Sequence, residues 1–320
     1  MTAATALDEA TEVAPDIRER ILRRTAEVIP PRDPEEAREP ASAGRAVLHL
    51  LPGPDGLSAR DALMSVITAT HLEGDGAIPY LARFAEHPSL EVRSQLMWSW
   101  SRFDVRAYGT EVVARLSPDG LDFTLREGEQ AEELVRLGLR PAALEVREGI
   151  AAHRLAALGP ALTEVRTLRI THDLPGQVLG PLLGTTGPDE GPGRTSRMPR
   201  LTTLELDLYT PSEEEWHALA AVPSLRGLSA RGGELASIPA SLTLPQLDRL
   251  SLSPVLHDPD LKRIARAFPS LSRLRLDGGA RGRVHDLSPL GGLEHLTSVE
   301  VVGAEVTGTE HLPPTVRIDT

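Results

Sequence analysis

The chain has no cysteine. Disulfide frameworks, thiolate zinc sites and iron–sulfur clusters are therefore excluded. Asparagine is also absent, and Lys262 is the sole lysine, so every other basic residue is arginine. Beside abundant Ala, Gly and Pro this is the bias of a high-GC bacterial genome, and the arginines carry no functional meaning on that ground alone. Aromatic residues make up only 3% of the 320 residues, whereas 40% are apolar, so the core expected is one of small aliphatic layers. No stretch approaches the roughly 18 consecutive apolar residues of a membrane-spanning helix. The N-terminus carries acidic residues and no basic region, which does not fit a signal peptide. A cytoplasmic protein is expected. Forty-six acidic residues against 34 basic ones, a net charge of −12, argue against general nucleic-acid binding, which needs cations to replace phosphate counterions. No nucleic-acid or membrane partner is expected, and no cofactor.

A repeat is present in the C-terminal half. Met198-Pro199-Arg200-Leu201, Val222-Pro223-Ser224-Leu225, Leu244-Pro245-Gln246-Leu247 and Phe268-Pro269-Ser270-Leu271 share one pattern. Each leads into a further apolar-x-apolar pair: Leu204 and Leu206, Leu228 and Ala230, Leu250 and Leu252, Leu274 and Leu276. Leu296, Val299 and Val301 form a copy without the proline. Weaker copies lie upstream at Val165, Leu168 and Ile170, at Leu144 and Val146, and at Leu121, Phe123 and Leu125. Val316-Arg317-Ile318 reads as a last edge strand. Repetition of this kind every 20–29 residues or so is the signature of leucine-rich repeats. The two apolar residues of each pair point to one face of a short strand and the residue between them to the other. Ser212 to Glu215 reads as a capping box, and Asp258-Pro259 as the start of a helix through Leu261 and Ile264. Asp286 to Leu290 reads as a tighter turn. The Asn or Cys that normally follows the strand is missing, and Tyr209 and Ala304 stand at two of the vacant positions. A less regular solenoid is expected. GPDEGPG, at 187–193, is expected to be an exposed loop.

Residues 16–116 read as helical. Asp16 to Val28 has helical spacing, Pro31 to Pro40 reads as a solvated acidic linker, and Arg60 to Thr68 as a helix. Ala77 to Ala85 predicts a helix, His87 to Arg93 a turn, and Ser94 to Phe103 the continuation of a second helix. Val92, Leu96, Trp100 and Phe103 fall on one stripe. A helix, a P-x-x-x-V-R turn and a second helix resemble a HEAT-type repeat. Asp104 to Leu116 predicts a last helix. The fold class expected is an α/β leucine-rich repeat solenoid of short parallel strands with helices or turns, carrying an N-terminal α-helical HEAT-like cap. The division expected is a disordered tail at 1–15, the HEAT-like region at 16–116 and the solenoid at 117–320.

Trp100, Phe103, Asp104 and Tyr108, a W-x-x-F-D-x-x-x-Y segment followed at once by leucine repeats, resemble the C-terminal part of actinobacterial NACHT-type STAND NTPases. The resemblance covers about residues 45–310. It implies a sensor in the repeats and, for some members, a role in anti-phage defence. The NTPase does not carry over, because there is no G-x-x-x-x-G-K-[ST] loop and Lys262 lies on a predicted helix. What the resemblance implies is the recognition half alone, as a stand-alone sensor, one product of a split gene or a truncated relative.

No catalytic signature is present, and an enzyme is not expected. His257, Asp258 and Asp260 are more simply a helix start than a metal site. Thr171 to Asp173 is a strand end. Trp100 belongs to the core, whereas Trp98 is expected to be partly exposed and could touch a partner. The candidate binding residues lie on the concave, leucine-free face of the strands: Glu205, Arg231, Arg249, Arg273, Arg275 and Asp277. Among them Arg249, Arg273 and Arg275 converge beside Ser229 and Ser251 on an acidic protein. The function expected is a non-catalytic protein–protein interaction or ligand-sensing module, possible as the sensor half of a NACHT-like system. The alternative is a structural adaptor that docks on a separate NTPase or regulatory partner.

Overall fold

The structure, a computed structural model, describes residues 20, 23–24, 26–27, 29–41, 44–72, 74–147, 149–171, 178–184, 196–232, 237–253, 260–277 and 284–320. The expected tail at 1–15, most of the expected helix at 16–28, the GPDEGPG segment, His172, Asp173, His257 and Asp258 lie outside them. The chain divides into two compact units, 1–123 and 124–320.

The first unit is helical: α1 (Arg38–Ala41), α2 (Ala59–Thr70), α3 (Ile78–Ala82), α4 (Leu90–Trp98) and α5 (Val105–Glu111). Ser58 caps α2 by accepting from the Asp61 N–H at 3.2 Å. The segment before α2 is not a solvated linker. Asp33 Oδ1 accepts from the Glu35 and Glu36 N–H groups at 2.9 Å, Arg60 donates to the Arg32 carbonyl at 2.7 Å, and Ala37 is buried against Met64 and Ile67. The acidic residues fold the segment into a turn and face water, and the small apolar ones close against α2. The expected helix at 77–85 is shortened to α3; the second helix begins at Leu90, inside the expected His87–Arg93 turn, and ends at Trp98, followed by a 3-10 turn at Trp100–Arg102. The last expected helix breaks at Val112 into α5 and a 3-10 turn at Val113–Arg115, next to Gly109 and two β-branched valines.

The expected apolar stripe is the core of this unit. Val92, Leu96 and Trp100 are fully buried and Phe103 nearly so. Trp100 Nε1 donates to the Val105 carbonyl at 2.8 Å, and the Tyr108 hydroxyl donates to that of Leu96 at 2.8 Å. The Phe103 and Tyr108 rings stack with centroids 5.0 Å apart. Asp104 caps α5 through the Ala107 N–H at 2.8 Å. Every named residue of the W-x-x-F-D-x-x-x-Y segment is thus used in packing, stacking or capping. Arg93 is buried and donates to the carbonyls of His87, Pro88 and Asp119 at 3.2, 2.9 and 2.9 Å, which ties the turn before α4.

Beyond it the strands are β1 (Asp122–Leu125), β2 (Ala143–Arg147), β3 (Thr167–Thr171), β4 (Thr203–Asp207), β5 (Gly227–Arg231), β6 (Arg249–Ser253), β7 (Arg273–Asp277), β8 (Val284–Asp286), β9 (Ser298–Val302), β10 (Glu305–Thr307) and β11 (Arg317–Asp319). Nine of them form one sheet in the order β1-β2-β3-β4-β5-β6-β7-β9-β11, and β8 pairs with β10 in a second, small sheet that the repeat pattern had not signalled. The strands from β2 onward pair in parallel with their leucines in register: Leu168, Leu204, Leu228, Leu250, Leu274 and Val299 are successive partners. All six are buried, and each such side chain contributes about 1.5–3 kcal/mol relative to exposure. No single strand could bury its pair alone, and the stack of neighbours does it. This is a leucine-rich repeat architecture. The connections are uneven: partners on β3 and β4 lie 36 residues apart, those on β6 and β7 24, and those on β7 and β9 25.

Helices α6 (Gly128–Arg136), α7 (Ala152–Ala157), α8 (Leu179–Leu183), α9 (Glu213–Ala220) and α10 (Leu261–Ala267) fill the connections. The capping box at Ser212 and Glu215 is present. The cap of α10 is Asp260, which accepts from the Arg263 N–H at 2.9 Å, not the expected Asp258-Pro259. Where Asn would follow β4, Tyr209 takes over the loop-bonding task. Its oxygen accepts from the Val178 N–H at 3.1 Å, and Glu215 Oε1 accepts from the Leu179 and Gly180 N–H groups at 2.8 and 3.2 Å.

Candidate functional site on the leucine-free face of the sheet

Strand alternation sends the residues between the leucines to the opposite face. The register arranges them in columns. The central column is Glu145, Arg169, Glu205, Ser229, Ser251, Arg275, Glu300 and Asp319. One column beside it contains Thr203, Gly227, Arg249, Arg273 and Ser298, and the other Thr171, Asp207, Arg231 and Ser253.

From β1 to β5 the face is largely self-paired. Thr124 donates to Glu145 Oε2 at 2.9 Å, and Arg169 Nε donates to Glu205 Oε2 at 2.8 Å. Arg231 stands 3.8 Å from Asp207, beyond hydrogen-bond length. Small residues follow at Gly227, Ser229, Ser251 and Ser253, and Ser253 donates to Asp277 Oδ2 at 3.1 Å.

Arg249 and Arg273 are register partners, and Arg275 is the partner of Ser251. The three charges are not equivalent. Arg275 is held by Glu300 at 2.6 Å. Arg249 is held by Asp248 at 3.1 Å, and its Nε lies 3.8 Å from where a Cβ on Gly227 would stand, so its side chain lies across β5. Arg273 is exposed and has no ion pair among the described residues. Its planar guanidinium can take a carboxylate or phosphate through two parallel hydrogen bonds. Arg249 stands one strand spacing of about 4.8 Å from Arg273, and Arg275 two residues along the same strand, about 6.6 Å away, so a single acidic group on Arg273 also feels both.

Elsewhere, Trp98 is 44% exposed and Trp100 fully buried. No group of three or more His, Asp or Glu residues able to hold a metal exists among the described residues. No helix among them is long and apolar enough to cross a membrane. Reading the sequence for charge missed one feature of this region, the exposed Leu208 directly after β4. The signal was available as a mismatch, because glycine follows β5 and β9 at Gly232 and Gly303.

No family model matches the chain. No curated protein matches it either. Among solved structures it is similar to internalin C2 from Listeria monocytogenes, with 18% identity over 67% of this chain and 82% of that one, at a TM-score of 0.36. The leucine-rich repeat domain of the type III effector XCV3220 (XopL) gives 15% identity over 97% and 96%, at 0.37. An internalin (InlF) from Listeria monocytogenes gives 13% over 92% and 96%, at 0.32. The leucine-rich repeat character of this chain rests on its own strand register, not on these likenesses.

Proposed function

We propose that the chain is a non-catalytic protein-interaction module that receives an acidic partner on the leucine-free face of its sheet, at Arg249, Arg273 and Arg275. The observation that carries the reading is Arg273, an exposed guanidinium with no ion pair among the described residues, on a chain of net charge −12 and flanked by two further arginines. Glu205, Arg231 and Asp277 border the same face and set its charge pattern. The resemblance of the segment from Trp100 to Tyr108, followed by leucine repeats, supports a place as the sensing half of a cytoplasmic NACHT-type system.

The test is a comparison of wild type with R249S/R273S/R275S in pull-downs from the source organism. Loss of a specific partner from the triple variant, strongest at low salt, supports the reading. Retention of every specific partner by the triple variant overturns it.

A further inference from the structure

Leu208 is the one described residue other than glycine with a positive φ, at 59°. At the matching point after β5 stands Gly232 with φ 66°, and after β9 Gly303 with φ 77°. In this region the Cβ of an L-residue crowds the following carbonyl oxygen, whereas glycine meets no such contact. The β4 repeat therefore holds a strained leucine where other repeats use glycine. The return is not burial, since Leu208 is 59% exposed. Nor is it the turn, because the Leu208 N–H donates to the Arg231 carbonyl at 2.8 Å and a glycine would donate equally.

The side chain nevertheless packs over the neighbouring turn. Its Cδ2 lies 2.7 Å from where a Cβ on Gly232 would stand, so it occupies the space above that glycine. Arg231 shares the corner. Its side chain is 69% exposed and stands 3.8 Å from Asp207, a loose ion pair beyond hydrogen-bond length, with no side-chain hydrogen bond among the described residues. An exposed apolar group held in a strained conformation points to a binding role, since folding alone gives no reason to keep it.

We propose that Leu208 and Arg231 form an anchor for a protein partner, an acidic segment that packs an apolar side chain on Leu208 and sets a carboxylate on Arg231. This rests on the reading of the same sheet face as the binding surface. Three strand spacings and five residues of strand put roughly 22 Å between Leu208 and Arg273. About seven residues of extended segment would span both points.

The probe is a library of random peptides displayed on phage and panned on the full chain, with selected peptides then measured on wild type, L208G, R231S and R249S/R273S/R275S. The expected peptides combine apolar with acidic residues. They lose about tenfold or more in affinity on L208G and on R231S, as at a small interface hot spot. The Tm of L208G is expected at or above that of wild type, because the substitution relieves strain. Peptides that weaken on the arginine triple variant but not on L208G overturn the anchor and leave the sheet-face reading standing. Peptides that weaken on L208G and R231S but not on the triple variant support the anchor and sink the arginine cluster. A panning that enriches nothing overturns the anchor, as does a Tm for L208G more than about 4 °C below wild type, which would give the side chain a folding role.

Discussion

The Tyr209 hydroxyl lies 2.7 Å from Glu215 Oε1 and 2.8 Å from Oε2, and both side chains are buried. Burial and the adjacent carboxylate push the Tyr209 hydroxyl well above its ordinary titration range. The pair gathers the N–H groups of Val178, Leu179, Gly180 and Ser212, so two adjacent connections are tied through one carboxylate. Glu215→Gln would place an amide N–H₂ against one of these donors. A loss of about 1.5–3 kcal/mol is expected, the scale of hydrogen bonds to a charged group. Urea unfolding measures it, and an unchanged midpoint would contradict the role assigned to the carboxylate.

Leu250→Asp should disrupt the repeat stack. Leu250 is 3% exposed and has Leu228 and Leu274 as register partners on either side. A carboxylate there has no partner and must be desolvated. The expected loss is on the order of 4 kcal/mol or more, in the range of severe core disruptions. A thermal melt followed by circular dichroism decides it, and a profile matching wild type would refute the register.

R249S/R273S/R275S should fold almost as stably as wild type. The Arg275–Glu300 and Arg249–Asp248 pairs are solvent-exposed, and such pairs contribute about 0–1 kcal/mol each. A drop in Tm of more than about 8 °C would mean that these arginines serve the fold more than a partner.

The helical unit should lose stability as the pH falls below 6.5. Burial, with Arg102 and Arg38 nearby, depresses the titration of His71 from its ordinary 6.5, and burial with Arg93 does the same to His87. Below pH 6.5 the unfolded chain takes up protons on both imidazoles before the folded chain does. Linkage then favours unfolding as the pH drops, until the folded groups also titrate. Urea midpoints at pH 7.5 and pH 5.5 should differ less in His71→Gln/His87→Gln than in wild type. An equal difference in the two proteins would remove these histidines as the cause.

Trp100→Ala should cost about 3–5 kcal/mol, because the indole is fully buried and its Nε1 donor to the Val105 carbonyl would be lost. Trp98→Ala should cost far less, since that side chain is 44% exposed. Similar losses in the two variants would contradict the assigned burial.

The sequence alone determined the strands of the large sheet, though not β8 and β10. An apolar pair separated by one residue can bury itself only as half of a strand, and its recurrence before Leu204, Leu228, Leu250 and Leu274 placed those leucines in register. Alternation then placed Glu205, Arg231, Arg249, Arg273, Arg275 and Asp277 on the opposite face. Helix extents were less legible, because the ends of α3, α4 and α5 depend on tertiary packing that local propensity does not encode. Only the tertiary structure decided which charges oppose each other. Arg275 meets Glu300 across 25 residues, and Arg169 meets Glu205 across 36, through strand pairing that no local pattern specifies. It also decided that Tyr209 and Glu215 replace a missing asparagine, and that Leu208 adopts a backbone conformation suited to glycine. Both depend on the path of the chain in three dimensions, where residues distant in sequence supply the donors, the space and the strain.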